Sequence, residues 1–155
     1  MEIERKFLIK EMPDLTKYPF KKMEQGYLNT SPTVRVRREN EEYFLTYKSK
    51  SIDGISREEY NLPLTQEAYE HLIRKCDGNI ITKTRYLIPI KDLGNDHDSL
   101  TAELDVFEAR FNGLTFVEVE FETVEKANAF IKPEWFGEDV TDKKEYYNSY
   151  LSQLV

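Results

Sequence analysis

Apolar and charged residues alternate with period two along most of the chain. The alternation predicts eight strands: Ile3–Ile9, Lys21–Leu28, Val34–Glu39, Tyr43–Ser49, Arg57–Leu62, Ile80–Ile88, Leu100–Phe107 and Leu114–Phe121. The polar links Glu39-Asn40-Glu41-Glu42 and Ser51-Ile52-Asp53-Gly54-Ile55 are short enough to join neighbours as hairpins. Antiparallel pairing follows. Three segments carry helical spacing instead. Thr65–Cys76 opens on Thr65 as N-cap and sets Ala68, Leu72, Ile73 and Cys76 on one face. Val124–Ile131 stops ahead of Pro133. Asp142–Leu154 places Tyr146, Tyr147, Tyr150, Leu151 and Leu154 at helical intervals. The expected class is mainly antiparallel β with peripheral helices (α+β). No repeat, low-complexity run or Pro/Gly-rich linker divides the chain, so one domain is expected over residues 1–155.

What alternates with the apolar residues is charge. Glu2, Glu4 and Lys6 share one face of the first strand, and Arg35 and Arg37 one face of the third. Lys48, Arg57 and Glu59, Lys83 and Arg85, Glu103 and Asp105, and Glu118 and Glu120 continue the pattern. Two readings follow. One is an open sheet with a solvated outer face. The other is a closed barrel with a polar interior, since about eight strands enclose a lumen that holds side chains or one small ligand. Like charges at i, i+2 repel unless counter-charges or ligands stand between them. In the barrel reading the apolar faces point outward beneath the helices. Arg and Lys then converge on a polyanion, where the planar Arg fork suits phosphate. The clustered carboxylates call for a divalent cation beside it.

Composition narrows the choices. The chain has 155 residues, of which 39% are hydrophobic and 33% charged, and its 10 Tyr and 9 Phe exceed what a disordered chain carries. A formal net charge of −7 speaks against a nucleic acid or an anionic membrane as partner. No apolar run approaches the roughly 20 residues of a membrane span, and Met1–Lys6 is charged from the start. One cysteine, Cys76, permits no intrachain disulfide, and the cytoplasm is the expected compartment. With one Cys and two His (His71 and His97), a metal must rest on carboxylates, which favours Mg²⁺ or Mn²⁺. Asn95-Asp96-His97-Asp98 reads as a solvated turn, His71 as surface and Cys76 as a small buried hydrophobe. No Ser/His/Asp or Cys/His arrangement and no Gly-rich phosphate loop is present. Monomer and homodimer both stand open.

Glu2-Ile3-Glu4-Arg5-Lys6 resembles the N-terminal E-x-E-x-K signature of the CYTH domain, or triphosphate tunnel metalloenzyme, superfamily. The likeness continues through Gln25-Gly26-Tyr27-Leu28, Arg35-Val36-Arg37, Tyr47-Lys48 and Ser56-Arg57-Glu58-Glu59-Tyr60. It runs on through Lys83-Thr84-Arg85-Tyr86, Glu103-Leu104-Asp105-Val106-Phe107, Val117-Glu118-Val119-Glu120-Phe121 and Pro133-Glu134-Trp135-Phe136-Gly137. The ordered set spans essentially the whole chain and is most similar to the small bacterial tripolyphosphatase branch.

The resemblance implies an eight-stranded antiparallel tunnel with a charged interior that hydrolyses a triphosphate using Mg²⁺ or Mn²⁺. Inorganic tripolyphosphate, cleaved to pyrophosphate and orthophosphate, is the expected substrate. A class IV-type adenylate cyclase, a thiamine triphosphatase and a non-catalytic polyphosphate- or nucleotide-binding module remain the alternatives. By the same resemblance Lys6, Arg35, Arg37, Lys48, Arg57, Lys83 and Arg85 clamp phosphate oxygens. Glu2, Glu4, Glu118 and Glu120 are the expected metal ligands, with Glu59, Glu103 and Asp105 holding a second metal or orienting the cations. Glu4, Lys6, Arg37, Lys48, Lys83 and Tyr27 are the candidate catalytic residues. The last helix is a candidate lid, with Lys143 and Lys144 near the tunnel mouth.

Overall fold

The alternating strands form one antiparallel sheet that curls back on itself. The structure, a computed structural model, describes residues 1–92, 94 and 98–155. The turn expected at Asn95-Asp96-His97-Asp98 therefore lies outside the described residues, apart from the backbone of Asp98. The strands are β1 (Glu2–Ile9), β2 (Phe20–Thr30), β3 (Thr33–Glu39), β4 (Glu42–Lys48), β5 (Ser56–Arg57), β6 (Glu59–Leu64), β7 (Asp77–Asp92), β8 (Asp98–Phe107), β9 (Thr115–Glu120) and β10 (Phe136–Asp139). Their order is β10-β1-β9-β8-β7-β2-β3-β4-β6, and β5 returns to pair with β1.

That last pairing closes the ring. Only Glu58 separates β5 from β6, so one extended segment pairs with β1 at its start (Glu2↔Arg57) and with β4 beyond it (Lys48↔Glu59). Counted as one strand, it completes the expected eight. The tenth segment, β10, was not expected. It adds to the outer edge of β1 at Phe7↔Asp139, and its four residues are too few for a periodic signal.

The helices are α1 (Gln66–Ile73), α2 (Val124–Ala129) and α3 (Asn148–Ser152); α1 and α2 pack on the outer face of the ring, and α3 packs against its interior at one end. Thr65 caps α1 by accepting from the Ala68 N–H, as its position predicts. Both α1 and α2 end earlier than expected. The helix expected over Asp142–Leu154 is broken: a 3₁₀ turn at Lys144–Tyr146 is followed by extended Tyr147 (φ −74°, ψ 139°), and only then does α3 begin. The break aims the Tyr147 ring at the Arg57 guanidinium, 5.3 Å away.

The main hydrophobic core lies outside the barrel. Ile3, Phe7, Leu104, Val117 and Val119 point outward and pack with Ala127 of α2, Phe130 and Phe136. A second outer cluster joins Val36 and Tyr43 to Tyr69 of α1. Inside the barrel, one end is filled by an apolar plug. Ile81, Phe107, Phe116 and Tyr27 share strand parity with the inward charges and meet Leu151 of α3. Gly78 seats α3: at φ +71° its missing Cβ would stand 2.0 Å from the Ser152 carbonyl oxygen. Asn79 Nδ2 holds the same helix end by donating to the Leu151 and Leu154 carbonyls at 3.1 and 2.7 Å. Cys76 is half-buried and its thiol is pushed up to about 11 by burial, in keeping with a packing residue. His71 is exposed. Among the described residues no helix is long and apolar enough to cross a membrane.

Candidate active site

Register carries the inward face from strand to strand around the ring. Glu4 stands opposite Glu120 and Lys6 opposite Glu118 on β1 and β9, and Glu118 opposite Glu103 on β8. Arg85 faces Asp105, Tyr27 faces Arg35, Arg35 faces Thr46, and Lys48 faces Glu59. These faces line a cavity of about 310 Å³ that is partly open to solvent. Six basic residues line it (Lys6, Arg35, Arg37, Lys48, Arg57 and Arg85), as do seven acidic ones (Glu2, Glu4, Glu39, Glu59, Glu103, Glu118 and Glu120). The charges nearly balance, so a polyanion entering this tunnel needs added positive charge.

Most of the cations already hold a carboxylate. Lys48 Nζ donates to Glu2 at 2.8 and 3.1 Å and lies 3.4 Å from Glu59. Lys6 Nζ donates to the Tyr146 carbonyl at 2.8 Å, sits 3.5 Å from Glu118 and lies over the Phe116 ring. Arg85 forks onto Asp105 at 2.7 and 2.9 Å and reaches Glu103 at 3.0 Å. Arg37 donates from Nε to Gln25 at 2.9 Å and reaches Glu39 at 3.4 Å. Among the described residues Arg35 and Arg57 pair with no carboxylate, and the buried Arg35 Nε has no partner at all.

The carboxylates are crowded. Burial first, then the neighbouring Glu118 and Glu2, hold Glu4 well above the usual range, and it shares a hydrogen bond with Glu118. Burial and the neighbouring Glu59 outweigh Lys48 and raise Glu2 to about 7. Burial would raise Glu59 as well, but the Glu2 hydrogen bond and the Lys48 charge bring it down to about 2. Glu118 falls well below its ordinary value because Lys6, Arg85 and Lys83 outweigh its burial. Burial and the Glu103 and Glu59 charges raise Glu120. In each of the acid pairs Glu4–Glu118 and Glu2–Glu59 one member is thus raised and the other lowered. A hard divalent cation prefers this oxygen-only donor set, and the raised Glu2 and Glu4 mark where positive charge is wanted. As the side chains stand, no group of three or more His, Cys, Asp or Glu among the described residues is gathered closely enough to hold a metal.

A model of the CYTH domain matches residues 1–153. This chain belongs to the CYTH-domain family. It is 42% identical over 160 residues to an inorganic triphosphatase of Nitrosomonas europaea, an alignment covering 99% of this chain and 98% of the relative. It is 35% identical over 155 residues to an inorganic triphosphatase of Acetivibrio thermocellus, covering 97% and 92%. Its fold matches the crystal structure of an inorganic triphosphatase with a TM-score of 0.70 at 37% identity, covering 100% of this chain and 96% of that one.

In this CYTH protein the expected site residues are brought together with two exceptions. Lys83 and Asp105 do not line the tunnel. They pair at 2.7 Å behind Arg85, against the apolar plug, with side-chain exposures of 0% and 1%. Burial first, then the Arg85 and Arg37 charges, lower Lys83 to about 7 despite its Asp105 partner. Lys83 is therefore placed to support Arg85, whereas the sequence pattern had it reaching phosphate. Lys143 and Lys144 do not line the tunnel either, and Lys143 is paired with Glu138 at 2.6 Å. The C-terminal segment contributes Thr141, Tyr147, Asn148 and Ser149 in their place.

The alternation places Thr46 beside Lys48 on the charged face without a role and leaves Thr33, Glu39, Phe44 and Asn61 unmarked; all five line the cavity. Each is two or four residues from a named charge on its strand, so the same alternation extended by one step marks them. Gln25 belongs to the Gln25-Gly26-Tyr27-Leu28 stretch, to which the sequence assigns no role for it. Tyr147–Ser149 carry no such signal, because they reach the tunnel through the break in the last helix.

Proposed function

We propose that this CYTH protein hydrolyses inorganic tripolyphosphate to pyrophosphate and orthophosphate, with Mg²⁺ or Mn²⁺ as cofactor. The observation that carries this reading is the near balance of buried opposite charges in one tunnel, with Arg35 and Arg57 left without carboxylates. A pure binder of polyanions has no use for seven acidic walls. A site for a cation–polyphosphate complex has use for both sets.

Arg35 and Arg57 are open to bind phosphate oxygens directly. Arg37 and Arg85, fixed by Gln25, Glu39, Glu103 and Asp105, present oriented guanidinium forks. Lys6 and Lys48 add point charges held by Tyr146, Glu118, Glu2 and Glu59, so the chain is held extended and its charge offset as the terminal phosphoryl group departs. Lys83 holds Asp105, which holds Arg85. Glu2, Glu4, Glu118 and Glu120 would hold the divalent cation. When bound, such an ion neutralises phosphate charge and acidifies water for attack. Burial and Glu118 hold Glu4 above its ordinary value, so its ionised form, and with it cation affinity, gains as pH rises.

The test incubates purified protein with tripolyphosphate, ATP, thiamine triphosphate or pyrophosphate, each with Mg²⁺, Mn²⁺ or EDTA. Metal-dependent phosphate release from tripolyphosphate, much faster than from ATP, is expected. Glu4→Gln is expected to abolish it while leaving the protein folded. Cyclic AMP from ATP, or tight tripolyphosphate binding with no turnover, overturns the reading.

A further inference from the structure

Gln25 is not part of the tunnel wall. It is fully buried on β2, at 0% exposure, opposite Arg37 on one side and Ile81 on the other. Its amide joins two residues that do line the tunnel. Oε1 accepts from Arg37 Nε at 2.9 Å, and Nε2 donates to the Tyr27 hydroxyl oxygen at 3.2 Å.

Chemistry alone decides which end of the amide faces which neighbour. An arginine Nε can only donate, so it must meet the amide oxygen. The amide NH₂ can also only donate, so the phenol oxygen of Tyr27 must accept. Accepting there leaves the phenol hydrogen uncommitted. Tyr27 is 3% exposed and borders the cavity, and among the described residues no acceptor takes that hydrogen. The side chain is closed off behind by Ile81, Phe107 and Phe116, so the cavity is where an acceptor can come from.

We infer that Gln25 is a positioning residue that polarises Tyr27, making its hydroxyl a donor aimed at an anionic oxygen in the tunnel. The inference rests on the tripolyphosphatase reading, in which that oxygen belongs to phosphate. The same amide sets the roll of the Arg37 fork, so one buried side chain orients two tunnel groups. The competing account is that Gln25 merely satisfies Arg37 Nε within the wall, in which case any acceptor of similar size serves.

Two substitutions at one position separate these accounts. Gln25→Leu removes both hydrogen bonds. Gln25→Glu keeps an acceptor for Arg37, but its second oxygen can only accept, so it draws the Tyr27 hydrogen away from the tunnel. The kcat and KM for tripolyphosphate are measured with saturating Mg²⁺ for wild type, Gln25→Leu, Gln25→Glu, Tyr27→Phe and Tyr27→Phe/Gln25→Glu. Melting curves verify that each is folded. Tyr27→Phe is expected to lower kcat on the order of tenfold to a hundredfold, as loss of one charge-assisted donor does. Gln25→Glu is expected to fall at least as far as Gln25→Leu, and the double variant to be no slower than Tyr27→Phe alone. Gln25→Glu retaining the wild-type kcat while Gln25→Leu loses it overturns the inference, as do additive losses in the double variant. Tyr27→Phe at the wild-type kcat overturns it by itself, whether or not the Gln25 variants fold. No phosphate release by wild type overturns the parent reading together with this one. Release by wild type with an indifferent Tyr27 overturns this one alone.

Discussion

Glu2→Gln tests whether the acid cluster is a strained site waiting for a cation or an ordinary set of ion pairs. In the folded chain Glu2 is raised from 4.5 to about 7, burial outweighing the Lys48 contact at 2.8 Å. A carboxyl raised in this way contributes stability in full below its unfolded value, near 4.5, and the contribution is lost as pH climbs through about 7. Glutamine mimics the protonated form at every pH. At pH 5 the variant and wild type should therefore differ little. By pH 8.5, in EDTA, the variant should be the more stable. At about 1.4 kcal/mol per pH unit, the gap from 4.5 to about 7 sets a ceiling of about 3 kcal/mol. The observed gain should be smaller, because the variant also loses the ionised partner of Lys48, which then keeps only Glu59 at 3.4 Å. The assay is urea unfolding in EDTA from pH 5 to 8.5, repeated with Mn²⁺. Wild type should be stabilised by Mn²⁺ and the variant much less so, with tripolyphosphate hydrolysis lost. A variant destabilised equally at pH 5 and pH 8.5 would refute the reasoning and make Glu2 a structural partner of Lys48.

Three further outcomes are expected. Arg35→Met should leave the ligand-free protein as stable or more stable by about 1 kcal/mol, since it removes a buried cation with an unpartnered Nε. It should also weaken tripolyphosphate binding about tenfold or more by calorimetry. Asp105→Asn should cost about 3–5 kcal/mol in chemical denaturation, because Lys83 and Arg85 lose their shared buried counter-charge. Adding Lys83→Met should recover part of that loss. Gly78→Ala should cost about 1–3 kcal/mol and expose the C-terminal segment to limited proteolysis, because the new Cβ would meet the Ser152 carbonyl at a positive φ. An unchanged digestion pattern would show that α3 is not seated there.

Much of the site is legible in the chain because alternation is local. Any extended segment throws successive side chains to opposite faces, so Glu2, Glu4 and Lys6 share a face whatever the strand pairs with. The same holds for Arg35 with Arg37 and for Glu118 with Glu120. Alternation also places Ile3, Phe7, Val117 and Val119 together on the other face, which is the outer core.

Depth along the barrel is another matter, because it depends on register, which joins residues far apart in sequence. Lys83 and Arg85 look equivalent as neighbours on one face. Pairing sets Lys83 opposite Phe107 and Arg85 opposite Asp105, so the first falls against the plug and the second into the tunnel. Closure likewise needs the interruption at Glu58, which lets one segment serve both β4 and β1. The break at Tyr147 brings its ring against Arg57, ninety residues earlier in the chain. The sequence by itself therefore determined the strands, their charged and apolar faces, and the kinds of ligand those charges suit. Only the tertiary structure decided which charges meet, which are buried behind others, and which were left free, because those outcomes come from long-range register and packing.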